Sequence, residues 1–263
     1  MHSSNPVIVI SAYGSGEPQA LLSLESLDEQ LHERFVGYEI RWAITASWLI
    51  KRFRKMGKTT LFARGEPVQS LAELFQELSD SGKTNAVVQC LLIHEGTESD
   101  HVYQTPTVGL QIKYGPSLLK GGRNIDAVLN AVSGYFGGEK DLTILIGHGS
   151  DTDERSNVPF LQMDEYLKRN RPDTFLCMIH GSPSPDEILS RIKASQYHRV
   201  VFVPLMMTTS EHILHEVIAD EPKSWVSRLG LPYHVAPSLS ETPQVMEIYY
   251  KSIEDALERF PDN

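Results

Sequence analysis

The sequence predicts an α/β protein of two similar doubly wound halves, each with a mainly parallel four-stranded sheet flanked by helices. Two observations lead there. Short β-branched runs alternate with helix-period segments along all 263 residues, the pattern of a parallel sheet covered on both faces. Short strings also recur at one offset. Ser11-Ala12-Tyr13-Gly14-Ser15 lies 135 positions before Ile146-Gly147-His148-Gly149-Ser150, and Ile44-Thr45-Ala46-Ser47 lies 135 before Ile179-His180-Gly181-Ser182. Both pairs fall at predicted strand ends, as a duplicated βα unit requires.

The elements follow in order. Val7 to Ile10 reads as a buried strand. Leu21, Leu24, Leu27, Leu31 and Phe35 recur at helix spacing. Glu39–Ile44 is the second strand, and 47–56 is a helix ended by Gly57. Pro67 near the start and the stripe Leu71, Leu74, Phe75, Leu78 predict a helix over 67–78. Residues 86–93 and 108–112 are the third and fourth strands, and 124–136 is helical. The second half predicts strands at 142–146, 174–179, 200–206 and 233–236. Helices lie at 159–168, 186–194 and 211–219, with a last one over 243–260. Gly137-Gly138 is the expected boundary, giving domains of 1–138 and 139–263.

Composition narrows the function. The formal charge is −10, from 24 basic and 34 acidic residues, which argues against nucleic acid as a partner. Cys90 and Cys177 are the two cysteines, and both sit in apolar runs. They form neither a disulfide framework nor a CxxC metal site. Nothing approaches the roughly 20 apolar residues of a membrane span, and Met1 to Pro6 has no basic leader. The expectation is a soluble cytoplasmic protein, with a homo-oligomer possible.

Two nucleotide motifs fail. Gly57-Lys58-Thr59-Thr60 resembles the end of a P-loop, but Arg52 stands where its first glycine belongs. Gly14-Ser15-Gly16 follows the first strand, but the third glycine of a dinucleotide fingerprint falls on Gln19. No nucleotide cofactor is expected.

The chain has ten histidines. His148 and His180 end successive predicted strands beside glycines, and His212 follows the third behind Thr208-Thr209-Ser210-Glu211. Ligands in open parallel sheets bind beyond those strand ends. Imidazole suits first-row divalent metals, and three neutral ligands leave open positions for a substrate atom. A shared metal or substrate site at His148, His180 and His212 is therefore expected. His215 lies three residues beyond His212 and is equally well a surface residue. In the first half, His94 and Glu98 lie in a polar stretch after the third strand. They are either part of a solvated loop or part of the site.

These residues carry a resemblance. Ile146-Gly147-His148-Gly149, then Val203-Pro204-Leu205-Met206-Met207 with Glu211-His212, then Asp220 to Trp225 with Gly230-Leu231-Pro232, and the Gly96-x-Glu98 segment, together resemble the anaerobic sirohydrochlorin cobaltochelatases, the CbiK type of class II tetrapyrrole chelatases. The resemblance spans nearly the whole chain. It implies a chelatase-like fold of two domains with an interdomain cleft, and ATP-independent insertion of a divalent metal into a tetrapyrrole. Co²⁺ into sirohydrochlorin, for cobalamin biosynthesis, is the leading expectation, with Fe²⁺ or Ni²⁺ possible. It implies His148 and His212 as metal ligands. An acidic residue completes the family's site where this chain has His180, so His180 is expected as ligand and base, with Glu98 the other candidate base. An imidazole is neutral and titrates near about 6.5, so this departure bears on metal preference and on activity. A tetrapyrrole with many carboxylates calls for local cations, and Arg155, Lys120 and Arg123 are candidates. The alternative is a non-catalytic tetrapyrrole, haem or metal carrier on the same fold. A metal-dependent hydrolase ranks third, because no Asp-rich cluster accompanies the histidines.

Overall fold

A computed structural model describes residues 5–261. The described residues form two compact units. One runs to Leu118 and resumes at Glu247, and the other is Leu119–Met246.

The first unit contains β1 (Val7–Ala12), α1 (Pro18–Arg34), β2 (Ile40–Ile44), α2 (Ser47–Lys55), α3 (Leu71–Asp80), β3 (Asn85–Leu91), α4 (Thr97–Gln104) and β4 (Gln111–Gly115). The strands are parallel, in the order β2-β1-β3-β4. Alternation sorts the side chains of the central strand between two faces. Val7 and Val9 pack with Leu74, Phe75 and Leu78 of α3. Burial of Ile8 and Ile10 is complete or nearly so on the other face.

The second unit contains α5 (Ile125–Val132), β5 (Asp141–Gly149), α6 (Val158–Asn170), β6 (Thr174–His180), α7 (Pro185–Leu189), β7 (Arg199–Pro204), α8 (Trp225–Leu229) and β8 (Tyr233–Val235). Its order, β6-β5-β7-β8, repeats the first topology, again all parallel. Leu142, Ile144 and Ile146 of β5 pack with α7 and α8 through Ile188, Leu189, Trp225 and Leu229. The last helix, α9 (Pro243–Leu257), starts in this unit and ends in the first. There its Glu254 pairs with Arg34 of α1 at 2.8 Å, and Tyr250 meets Phe35 edge-on.

Several predicted boundaries move. The division falls at Leu118–Leu119, not at Gly137-Gly138. Those glycines form a turn into β5: Gly137 N–H donates to Thr143 Oγ1 and Gly138 N–H to Asp141 Oδ2. The preceding segment packs on α6, with Gly122 against Gln162. The helix expected over 67–78 starts at Leu71, because Ser70 and Glu73 form a reciprocal capping box, while Pro67 lies in a short antiparallel bridge with Thr60. The fourth strand begins at Gln111, since Val108 and Gly109 turn with positive φ. The helix expected over 186–194 is only Pro185–Leu189, and that over 211–219 contains a π-helical turn, Ile213–Val217. Helix α8 has no counterpart in the sequence reading. The duplicated topology is present, but the two string pairs are not both in register. Ala12 sits opposite Ile44, whereas Gly147, 135 positions on, sits opposite Met178, which is 134 beyond Ile44.

Candidate metal centre

Three strand ends bring three imidazoles together. His148 is the penultimate residue of β5 and His180 the last of β6, while His212 directly precedes the π-helical turn after β7. Their ring centroids are 5.1 Å (His148–His180), 5.2 Å (His148–His212) and 5.5 Å (His180–His212) apart. One ring nitrogen from each lies within 4.8 Å of the other two. An ion bonded at about 2.1 Å to three such nitrogens needs them roughly 3.0–3.5 Å apart. His148 is exposed and the other two half-buried, so the cluster is open to solvent.

Glycines make this convergence possible. Gly147 packs against the face of Phe160 on α6, where an added Cβ would come within 2.9 Å of the ring. Gly149 has φ +66°, and a Cβ there would clash with the His180 carbonyl oxygen. No side chain fits, so β5 and β6 stay close at their ends. Gly181 has φ +94° and turns the chain away after His180.

Each imidazole is aimed through Nδ1. His148 Nδ1 is 2.9 Å from the Gly149 carbonyl oxygen. His180 Nδ1 is 3.0 Å from Asp151 Oδ2, and His212 Nδ1 meets Glu216 Oε1. A carbonyl oxygen only accepts, and so does an ionised carboxylate, so all three Nδ1 atoms carry the proton. Every Nε2 then presents a lone pair. This is the arrangement that orients histidine ligands at metal sites.

Asp151 and Glu216 are absent from the sequence reading, and Asp151 is the more built-in. Its Oδ1 also accepts from Gly181 N–H at 2.8 Å, so one carboxylate holds both the ring and the following backbone. The loop that presents Asp151 is clamped in turn. Asn157 holds the Ser150 backbone by two hydrogen bonds of 2.8 Å, and Ser150 Oγ accepts from Asp153 N–H. Glu216 was open to detection as an i, i+4 partner of His212. Asp151 was harder to find, because its partner is 29 positions away.

The other candidates divide. His215 is exposed and lies outside the cluster. His94, in the first unit, donates through Nδ1 to the Glu95 carbonyl at 3.0 Å. Glu98 lies in the first turn of α4, with a buried Oε2 that has no hydrogen-bond partner. Arg155 is held by Asp153 at 2.7 Å, which neutralises it locally. Lys120 and Arg123 sit in and just after a 3-10 turn, Lys120–Gly122. Cys177 is buried in the apolar core, and desolvation pushes its thiol far above the usual range, so it is no thiolate ligand.

The two-sheet α/β architecture recurs in known proteins. The sirohydrochlorin cobaltochelatase CbiKC of Nitratidesulfovibrio vulgaris (strain Hildenborough) is 26% identical over 237 residues, covering 84% of this chain and 78% of its own length. The structure of sirohydrochlorin chelatase SirB from Bacillus subtilis subspecies spizizenii, in complex with cobalt, superposes with a TM-score of 0.62 at 15% identity, covering 97% of this chain and 96% of that one. CbiX, described as the terminal enzyme for biosynthesis of siroheme in denitrifying bacteria, superposes with a TM-score of 0.58 at 15% identity, covering 96% and 99%. Those two likenesses establish the fold. The match to the cobalt chelatase (CbiK) family runs over residues 6–258, and the chain belongs to that family.

Proposed function

We propose that this chelatase inserts Co²⁺ into sirohydrochlorin, with His148, His180 and His212 holding the incoming ion. The observation that carries this reading is the convergence of three imidazoles at the carboxyl edge of one sheet, one ring nitrogen from each within 4.8 Å of the other two. The relative named as a sirohydrochlorin cobaltochelatase supports the metal and the ring. Fe²⁺ and Ni²⁺ suit the same imidazole donors and are the alternative metals.

The chemistry sets what the residues do. Metal enters, two pyrrole N–H bonds break, and two protons leave, with no change of oxidation state. Three neutral ligands hold the ion without closing its coordination shell, so ring nitrogens can replace them one at a time. The protons need acceptors within hydrogen-bond reach. Once a ring nitrogen has displaced it from the ion, His180 Nε2, with Nδ1–H backed by the Asp151 carboxylate, is one acceptor in this reading. Glu98, whose Oε2 is buried and accepts no hydrogen bond, is the other. Asp151 also restores, one bond further out, the negative charge that His180 lacks relative to the family's carboxylate.

The test is a spectrophotometric insertion assay with purified protein, metal-free sirohydrochlorin and Co²⁺. The expected result is turnover without nucleotide, lost in His148→Ala and His212→Ala and retained in His215→Ala. No turnover with Co²⁺, Fe²⁺ or Ni²⁺ contradicts the reading. If the protein binds the ring tightly but never turns over, it is a carrier.

A further inference from the structure

Asn157 stands at the N-terminal cap of α6, where an asparagine side chain usually accepts from the first turn of the helix. Here it makes no capping hydrogen bond. The amide turns instead to Ser150, the first residue beyond β5. Its Oδ1 accepts from Ser150 N–H and its Nδ2 donates to the Ser150 carbonyl, both at 2.8 Å. Donor and acceptor together meet both polar groups of one residue, as an antiparallel strand would. The half-buried amide also packs over the turn after β6. Its Nδ2 stands 3.0 Å from where a Cβ on Gly181 would be.

The two peptide groups held by Asn157 are the ones that aim imidazoles. The Gly149–Ser150 peptide carries the carbonyl that His148 Nδ1 meets at 2.9 Å. A peptide group is planar, so fixing its N–H fixes its carbonyl. The Ser150–Asp151 peptide leads directly to the carboxylate that His180 Nδ1 meets at 3.0 Å. Ser150 Oγ folds the loop around itself, accepting from Thr152 N–H at 3.2 Å and from Asp153 N–H at 3.0 Å. Asp151 therefore has little freedom, and its other oxygen accepts from Gly181 N–H. His212 is aimed from elsewhere, by Glu216 in the π-helical turn after β7.

We infer that Asn157 is a positioning residue for metal binding, which aims His148 and His180 together and leaves His212 to Glu216. It acts through the backbone on either side of Ser150. The role requires an amide. An aspartate oxygen in place of Nδ2 would face the Ser150 carbonyl, acceptor against acceptor. A leucine of similar size would leave both Ser150 groups without this partner. This role rests on the proposed reading of the three histidines as metal ligands and adds the residue that sets two of them.

Two measurements on the full-length protein test it. The first needs no metal. Nitrogen-15 correlation spectra of the imidazoles at about pH 8, where an ordinary histidine is neutral, report which ring nitrogen carries the proton. The expected result is Nδ1–H at His148, His180 and His212 in wild type. In Asn157→Asp and Asn157→Leu, His148 and His180 become mixtures of the two tautomers while His212 does not change. A tautomer bias kept at His148 or at His180, or lost at His212 as well, overturns the inference.

The second is Co²⁺ affinity, titrated by visible absorption. Asn157→Leu should bind about tenfold more weakly, the lower end of what loss of an orienting partner costs. Combined with Glu216→Gln, the two losses should multiply to within about twofold, because they act on different rings. Combined with Asp151→Asn, they should fall clearly short of multiplying, because both changes reach His180 by one route. Losses that multiply in both pairs overturn the inference. Thermal melts confirm that the variants fold. Wild-type Co²⁺ affinity in Asn157→Leu overturns this role and leaves the chelatase reading intact. A wild-type protein that binds no Co²⁺ contradicts the metal reading, and the tautomers still decide whether Asn157 aims the two rings.

Discussion

Nδ1 of His180 and Nδ1 of His212 both end on carboxylates, and the two carboxylates are held differently. Glu216 is an exposed neighbour on the same helical turn. Asp151 is tied through its second oxygen to Gly181 N–H, so it is placed before any metal arrives. Loss of such an outer partner typically lowers metal affinity about 10–100-fold. Asp151→Asn should fall in that range, because in either orientation its NH2 faces a donor, the imidazole Nδ1–H or Gly181 N–H, where a carboxylate oxygen accepted. Glu216→Gln should have the smaller effect. Co²⁺ titration by visible absorption measures both. Equal affinities in wild type and Asp151→Asn would show that Asp151 does not aim His180. The geometry also explains why these carboxylates are hard to read from sequence. A strand-ending histidine beside glycine is a local signal. The acid that orients it arrives from the next loop.

Helix caps are the element-scale feature with a pH consequence. The Glu187 carboxyl lies below its usual range because Ser184 N–H donates to it, helped by the Ser182 hydroxyl. Burial alone would raise the Glu73 carboxyl, but hydrogen bonds from Ser70 and Arg54 outweigh it and lower it. A carboxyl depressed in the folded state adds stability above its unfolded pKa, and that stability is lost as pH falls through the folded value. Stability should therefore be full near neutrality and decline once pH drops through the usual carboxylate range and below. Glu73→Gln/Glu187→Gln should be less stable than wild type at about pH 7 and nearly equal to it at about pH 3. Urea midpoints at the two pH values measure this, and a pH-independent difference would contradict it. The same caps explain where sequence reading misplaces α3. Ser70 and Glu73 form a start signal closer to the apolar stripe than Pro67 does. The π-helical turn after His212 has no comparable signal, since Ile213 and Val217 fit either helical period.

At the scale of the molecule, eight parallel strands in two sheets of one topology are legible from alternation alone. Buried parallel strands such as Val7–Ile10 and Val200–Val203 are continuous apolar runs, which little else in a soluble chain resembles. The division into units is not legible, because α9 begins in the second and ends in the first. A return of this kind leaves no mark at Gly137-Gly138 or anywhere else along the sequence. The −10 charge likewise conceals the acid-free face of α2. His148, His180 and His212 come together at and just beyond the carboxyl ends of the second sheet's strands. Cobalt-edge X-ray absorption of the Co²⁺-loaded protein tests that placement most directly. Three imidazole nitrogens at about 2.1 Å, falling to two in His180→Ala, is the predicted result, and an oxygen-only shell unchanged by His148→Ala, His180→Ala or His212→Ala would contradict it.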